Sequence, residues 1–202
     1  MIDFTATFIF FFAVIDPIGT IPVYLAVTSG VEKTARRSMA VRATLVSAAV
    51  LVFFVVAGEF ILNAMSVPLA AFQIAGSIVL FLFALTMIFG ESKPEEEVKL
   101  VSSGRDKAVF PLAIPSIAGP GAMLAAVLLT ENARFDLWQQ LQTTATMLAV
   151  LLIALMLMLA AQWVNRLIGE SGASVISRVM GLILASVATA NALAGIKEYF
   201  AL

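Results

Sequence analysis

Residues 16–22 read Asp-Pro-Ile-Gly-Thr-Ile-Pro, and residues 114–120 read Ile-Pro-Ser-Ile-Ala-Gly-Pro. Each stretch holds two prolines with four residues between them, and each has a glycine close by. A proline removes one helix hydrogen bond and clashes with the carbonyl of the preceding turn, so such a pair interrupts a helix rather than bends it. Both stretches lie inside long apolar runs. The sequence therefore predicts two broken helices, one in each half of the chain.

The whole chain is far more apolar than a soluble domain. Of its 202 residues, 61% are hydrophobic and 12% are charged, and the mean hydropathy is +1.04. A soluble domain is about half apolar and about a quarter charged, and a short chain cannot bury such an excess. The apolar runs are continuous and of membrane-spanning length, rather than alternating as in a barrel. The composition excludes a water-soluble enzyme or binding domain.

Six apolar runs predict membrane-spanning helices, and the proline stretches interrupt the first and the fourth. The first run lacks the basic start of a signal peptide and is too long for one, so it is expected to be a mature span. The predicted spans are Ile2–Thr28, Met39–Leu62, Val67–Phe89, Ala108–Thr130, Trp138–Val164 and Ala173–Tyr199.

The basic residues indicate how these spans are oriented. Ten of the twelve Lys and Arg residues lie in or beside the loops after spans one, three and five. The other two, Arg134 and Lys197, fall on the opposite side. Since cytoplasmic loops carry the excess of basic residues, the odd-numbered loops are predicted to be cytoplasmic and both termini to lie outside.

Further matches between the halves indicate an internal duplication. Gly76 and Gly90 in span three are fourteen positions apart, as are Gly181 and Gly195 in span six. Each half would hold three spans, an odd number, so the halves must lie in the membrane with opposite orientation.

The predicted fold is an all-α membrane protein with about six transmembrane helices. They form two inverted three-helix repeats in which helices 1 and 4 are broken. The first repeat is residues 1–90, the second is residues 108–202, and residues 91–107 form a polar cytoplasmic linker between them.

Missing residue types remove several classes of function. The chain has no Cys and no His, which excludes disulfides, thiolate nucleophiles, His-based triads and the usual zinc ligands. A net charge of −1 gives no basic field for nucleic acid. An intramembrane aspartyl protease needs two aspartates deep in the membrane, and Asp16 is the one aspartate expected at that depth. We therefore expect no enzyme, no cofactor and no metal. A phosphate-binding glycine loop of the ATPase type is also absent, so any transport would need a gradient.

The paired breaks predict a substrate site near the middle of the membrane. Backbone groups freed at that depth are tolerated only inside protein or along a wet cavity, and matched discontinuous helices mark substrate sites in transporters. A half-helix beginning after each second proline would offer its positive end to a carboxylate, and the glycines would allow close approach. A packing kink is the alternative for each break. The predicted substrate-binding residues are Asp16, Pro17, Gly19, Thr20, Pro22, Pro115, Ser116, Gly119, Pro120 and Gly121.

Two acidic residues are candidates for coupling transport to an ion. Asp16 lies deep in the first span, where an ionisable group is costly and usually functional. It would accept an ammonium group, a proton or a cation, and the alternative role is to cap the half-helix that follows. Glu59 lies near the outer end of span two, where the alternative is an ordinary interfacial position.

At these residues the sequence resembles a known family. The segment Asp16–Pro22 and the run Pro111–Gly121 are similar to the MarC family of bacterial and archaeal inner-membrane proteins, as are Ala57–Glu59 and Arg178–Leu184. The resemblance covers nearly the whole chain and implies a multi-pass protein with paired helix breaks. Some members of the family are assigned as transporters of glycine, alanine and similar amino acids, so it implies that activity here. The ten candidate residues above are the matching positions.

The sequence thus predicts a secondary transporter of small neutral amino acids, driven by a proton or Na⁺ gradient, in the inner membrane of a bacterium or archaeon. A passive channel or exporter for other small metabolites is one alternative. A membrane protein with a structural or stress-related role and no transport is another. The expected partners are the amino acid substrate, H⁺ or Na⁺, and the lipid bilayer. The sequence is compatible with a homo-oligomer and excludes nucleic acid as a partner.

Overall fold

A computed structural model describes residues 3–89, 106–132 and 134–200, apart from the side chains of residues 168, 170, 171 and 173. The described residues fold into helices joined by short turns, with no strand among them. In chain order the helices are α1 (Phe4–Ile15), α2 (Thr20–Val27), α3 (Lys33–Ala64), α4 (Leu69–Phe89), α5 (Ala108–Ile117), α6 (Pro120–Leu128), α7 (Leu137–Leu159) and α8 (Ala161–Tyr199).

Single helices, or two consecutive helices taken together, form segments long and apolar enough to cross a membrane. Five segments qualify by themselves: Phe4–Val27, Lys33–Ala64, Leu69–Phe89, Leu137–Leu159 and Ser174–Tyr199. The sixth is α5 with α6, which are bent by 56° at a short break. The predicted all-α membrane architecture of about six spans is confirmed.

One span boundary differs from the sequence prediction. The fifth span was expected to continue to Val164, but α7 ends at Leu159 and a new helix, α8, begins at Ala161. The sixth span was expected to begin at Ala173, and the membrane-spanning segment Ser174–Tyr199 agrees with that start. The earlier part of α8 is separated from this segment by a kink at Gly169. Gly169 has a φ of 67°, a left-handed conformation that glycine adopts without steric cost.

The broken spans lie at the centre of the bundle and the unbroken ones lie around them. In the first span, 61% of the most apolar window is buried inside the protein, against 17% for α3. The second broken span is similarly enclosed, with Leu112, Ile117 and Ala125 fully buried. The outer helices expose large apolar side chains, such as Phe60 and Phe89, as a lipid-facing surface does.

Small residues allow α4 and α8 to pack closely along their length. A Cβ atom at Gly181 would lie 2.9 Å from Met87 Cβ, and one at Gly195 would lie 2.9 Å from Ile74 Cγ1. Both glycines therefore stand where the α4 surface leaves no room for a side chain. The side chain of Leu124 in α6 likewise occupies the space where a Cβ atom at Gly76 of α4 would lie.

The helix contacts repeat when the two halves are exchanged. α3 packs against α5 and α6, while α7 packs against α1 and α2. Likewise α4 packs against α6, while α8 packs against α1 and α2. A duplicated chain would give this pattern, and the inverted repeat itself stays a prediction. The division at the linker also stays a prediction, because Gly90 and residues 91–105 lie outside the described residues.

Candidate substrate site

Asp16 forms the first break and is buried there. Its backbone N–H donates to the Phe12 carbonyl at 3.0 Å, which ends α1, and its φ of 50° turns the chain into the left-handed region. Aspartate is among the few residues that tolerate this region. Its Oδ1 then accepts the Gly19 N–H at 3.0 Å, and its carbonyl accepts the Thr20 N–H and hydroxyl, each at 3.1 Å. The Asp16 carboxylate therefore caps the turn at residues 17–19, whereas the N-cap residue of α2 itself is Gly19 and has no side-chain cap bond.

Gly19 is placed where the carboxylate of Asp16 folds back over the break. A Cβ atom at residue 19 would overlap that carboxylate. The φ of Gly19 is −65°, which any residue can adopt, so backbone conformation does not require glycine here. The close approach of the carboxylate does. The Asp16 carboxylate and the Gly19 backbone thus form one compact unit.

One of the two half-helices begins where predicted and the other does not. α6 begins at Pro120 as expected, with Gly119 as an extended N-cap residue. α2 begins at Thr20, two residues before Pro22 rather than after it. The reason is the Asp16 cap, which fixes the turn before Pro22 is reached. Pro22 fits the first turn because its missing N–H has no partner there in any helix.

The second break is built on two further prolines. Phe110 and Ile114 have extended backbone (φ −129° and −130°), as expected for residues that precede proline. The Ala118 N–H reaches back to the Ala113 carbonyl at 2.8 Å, and the Ser47 hydroxyl of α3 donates to the same carbonyl at 3.2 Å. A side chain from another helix therefore supports the interrupted backbone.

Sequence reasoning missed the role of Ser47. A small polar residue inside an apolar span was its only signal, and such residues are common where helices pack.

The two breaks meet at a pair of hydroxyl groups. Ser116 Oγ lies 3.5 Å from Thr20 Oγ1, and these two residues are 1% and 0% exposed. Gly121 follows the second break, and a Cβ there would lie 2.5 Å from Leu80 Cδ1 and 3.6 Å from Val14 Cβ. The predicted site residues Asp16, Gly19, Thr20 and Ser116 are thus brought together at the centre of the bundle.

The other predicted residues differ in how deeply they are buried. Pro17 and Gly121 are buried, Pro22, Pro115 and Gly119 are partly buried, and Pro120 is exposed.

Glu59 belongs to a different polar group at one end of the bundle. Its Oε2 accepts the Asn132 N–H at 2.9 Å and the Asn132 amide at 2.8 Å. Beside it, Glu131 is paired with Arg134 Nε at 2.9 Å, and Arg134 is also paired with Glu198. We call these five residues the loop cluster. They tie α3, the α6–α7 loop and the end of α8 together, so Glu59 lies apart from the breaks.

Glu131 is the buried member of the loop cluster. Burial raises the pKa of its carboxyl, and this is the largest effect. The positive charge of Arg134 lowers the pKa, whereas the negative charges of Glu198 and Glu59 raise it. A carboxyl held this way can take up a proton more readily than an exposed one.

An apolar cleft of about 580 Å³ lies between α1, α7, α8 and the α6–α7 loop. It extends along α1 from Asp3 to Ala13, less than one helical turn from Asp16. Thr7, Thr143 and Asn191 supply polar groups along its wall. The cleft reaches towards the break from the end of the bundle that carries the loop cluster.

Comparison with known sequences identifies the family. A profile described as "MarC family integral membrane protein" matches residues 1–200. The chain is 31% identical over 197 residues to UPF0056 membrane protein MJ1677 of Methanocaldococcus jannaschii, covering 96% of each chain. It is 32% identical over 190 residues to UPF0056 inner membrane protein YhgN of Escherichia coli, covering 92% of each. No solved structure matches the chain. With its membrane-spanning helices and paired breaks, the chain belongs to the MarC family of integral membrane proteins.

Proposed function

We propose that the protein is a secondary transporter of small neutral amino acids, with its substrate site at the two breaks. The observation that carries the proposal is the meeting of Thr20 and Ser116, buried hydroxyls from two interrupted spans. Matched discontinuous helices that meet in the centre of a membrane protein are typical of transporters. A packing kink in one helix would need no polar partner in the other.

The chemistry of the site favours a small zwitterion. The first turn of α6, which begins at Pro120, is the positive end of a helix and suits a carboxylate. The carboxylate and carbonyl of Asp16 suit an ammonium group. At Gly19, Gly119 and Gly121 a Cβ atom would already be too close to Asp16, Pro115 and Leu80. The breaks are therefore tightly packed, and glycine and alanine should fit there better than larger amino acids.

Asp16 is the proposed coupling residue. Two carboxylate residues are buried in the described part of the chain, Asp16 and Glu131. Asp16 lies at the breaks, whereas Glu131 belongs to the loop cluster. Binding H⁺ or Na⁺ to its carboxylate would change the charge that an ammonium group meets, and so link the two fluxes. Glu59 is the second candidate, acting at the end of the bundle rather than at the breaks.

Alternating access would require one half of the protein to move against the other. In the described structure the hydroxyl pair is closed to solvent, and the apolar cleft along α1 stops short of it. A movement of one half against the other would extend that cleft to the break on one side. No bond is made or broken, so the proposal includes no enzyme chemistry.

The proposed location is the cytoplasmic membrane, with both termini outside. The distribution of Lys and Arg supports this orientation. YhgN of Escherichia coli is named as an inner membrane protein, which supports the same location here.

Ligand-dependent thermal stabilisation of the purified protein in detergent tests the proposal. Glycine and alanine should raise the Tm of the wild-type protein, whereas leucine and glutamate should not. Thr20→Val and Ser116→Ala should weaken the apparent affinity about ten-fold, the loss expected for one buried hydrogen bond. Thr44→Val and Ser186→Ala are matched controls, because each removes a hydroxyl bonded to the carbonyl four residues earlier, away from the breaks.

The two alternatives predict other results. A structural protein without transport gives no shift with any small amino acid. A passive pore would bind weakly and would lose no affinity in the two hydroxyl variants, so an unchanged response in both would contradict the proposed site.

A further inference from the structure

A second cleft, of about 460 Å³, lies at the end of the bundle opposite the loop cluster. It is formed where α2 ends, α3 begins, α7 ends and α8 begins. We call it the basic cleft. Its lining includes Tyr24, Leu25, Lys33, Arg36, Arg37 and residues 158–163.

Three cationic side chains face this cleft from the first turns of α3. The ion pairs among the described residues use Arg42 and Arg134, and none of them uses Lys33, Arg36 or Arg37. No ion pair in the described part of the chain joins any of these three cations to a carboxylate, and Glu32, next to Lys33, supplies one negative charge beside three positive ones. Such a group attracts an anion.

The backbone and Arg36 hold the basic cleft in shape. Arg36 Nε donates to the Val31 carbonyl at 2.6 Å, which leaves its other N–H groups able to donate elsewhere. The buried Tyr24 donates its hydroxyl to the Arg36 carbonyl at 3.1 Å, which fixes the start of α3 against α2. The guanidinium is therefore positioned before any ligand arrives.

The rim of the basic cleft is apolar and lies where lipid headgroups meet the hydrocarbon. Lys33 and Leu159 are the terminal residues of two candidate membrane spans. Leu159 and Trp163 are 50% and 68% exposed at this rim. Tryptophan at such a position is typical of the membrane interface.

We propose that the basic cleft binds an anionic phospholipid. Its phosphate would lie against Lys33, Arg36 and Arg37, and its acyl chains would follow Leu159 and Trp163 into the bilayer. Basic pockets between transmembrane helices on the cytoplasmic side recognise anionic headgroups in this way. A free inorganic anion would match the cations but would make no use of the apolar rim.

The two tryptophans of the chain provide a matched test. Trp163 lies at the basic cleft and Trp138 at the far end of α7, and both are 68% exposed. In the Trp138→Phe protein, Trp163 alone reports its lipid neighbours. We expect brominated phosphatidylglycerol to quench Trp163 about five-fold more effectively than the same fraction of brominated phosphatidylcholine. In the control Trp163→Phe protein, the two lipids should quench Trp138 alike. Equal quenching of Trp163 by both lipids would overturn the proposal.

Charge variants identify the groups responsible. In the Trp138→Phe background, Lys33→Gln combined with Arg37→Gln should abolish the preference of Trp163 for the anionic lipid. Arg166→Gln is the control, because Arg166 is exposed on the same helix as Trp163 but does not line the basic cleft. An equal loss in the control would overturn the site in favour of general surface charge.

Inorganic phosphate separates a lipid site from a free-anion site. At matched ionic strength, phosphate should leave the preference for phosphatidylglycerol unchanged. If phosphate removes the preference, the cleft is a site for free anions and the lipid assignment is wrong. None of these measurements involves an amino acid, so their outcome is independent of the transport proposal.

Discussion

The hydroxyl oxygens of Thr20 and Ser116, from residues 96 positions apart in the sequence, lie 3.5 Å apart in the buried centre of the bundle. Each hydroxyl sits at the interruption of its own span. Thr20 also donates to the Asp16 carbonyl, so the pair connects the second break to the buried carboxylate residue of the first. The hydroxyl pair is therefore a point at which the two breaks are in contact.

Replacing Asp16 separates its structural role from its proposed coupling role. The asparagine side chain of Asp16→Asn would still accept the Gly19 N–H, so this variant should insert and fold with a nearly unchanged Tm but lose coupled uptake. Asp16→Ala removes the cap as well and should lower the stability by about 0.5–2 kcal/mol. Thermal unfolding and uptake into proteoliposomes measure the two effects. Normal glycine or alanine flux by Asp16→Asn would rule out Asp16 as the coupling residue.

Enlarging Gly195 should destabilise the packing of α8 on α4 without acting on the breaks. The new Cβ would lie 2.9 Å from Ile74 Cγ1 and 3.2 Å from the Ala70 carbonyl oxygen. Overpacking of this kind costs about 1–3 kcal/mol, partly offset by the better helix propensity of alanine. Gly195→Ala should therefore lower the Tm, while Val179→Ala, on the exposed side of α8, should leave it close to that of the wild type. Equal Tm values for the two variants would show that α4 and α8 are not in close contact.

The raised pKa of Glu131 predicts how stability depends on pH. Because the folded state holds the proton of Glu131 more readily than the unfolded state, the free energy of unfolding falls as the pH rises through the folded pKa. Glu131→Gln removes this dependence. The Tm of the variant minus that of the wild type should therefore increase as the pH rises above the ordinary carboxyl pKa of about 4.3.

The exposed Glu32 supplies the control for this measurement through Glu32→Gln. The Tm difference between Glu131→Gln and Glu32→Gln isolates the contribution of the loop cluster. If that difference decreases with rising pH, ion pairing with Arg134 outweighs burial and the direction given for Glu131 is wrong.

The predicted orientation can be measured by labelling, because the chain has no native cysteine. Ser29→Cys lies in the turn between α2 and α3, and Met65→Cys lies at the end of α3. An impermeant thiol reagent added to intact cells should label the Met65→Cys protein and spare the Ser29→Cys protein until the membrane is opened. The reverse pattern would place the termini in the cytoplasm.

Much of the fold follows from local patterns in the sequence. The continuous apolar runs predict the spans because each must be long enough to cross the hydrocarbon. The prolines at 115 and 120 predict the second break, since each restricts its own backbone and the residue before it. The cap formed by Asp16 is also local, because its partners Gly19 and Thr20 lie within about one turn.

The rest depends on contacts between residues that are distant in the sequence. Ser47 reaches Ala113 only after α3 and α5 have packed together. The loop cluster joins Glu59, the α6–α7 loop and Glu198, which are far apart in the chain, so no local pattern shows it.

Counterflow of glycine in proteoliposomes tests the central claim most directly. Vesicles loaded with unlabelled glycine and diluted into labelled glycine should accumulate label above equilibrium with the wild-type protein and with Ser186→Ala. With labelled glycine well below its Kd, the ten-fold weaker affinity of Ser116→Ala should lower the initial rate about ten-fold. Uptake that rises linearly with concentration and shows no trans-stimulation would indicate a passive pore, and equal rates for Ser116→Ala and Ser186→Ala would contradict a substrate site where Thr20 and Ser116 meet.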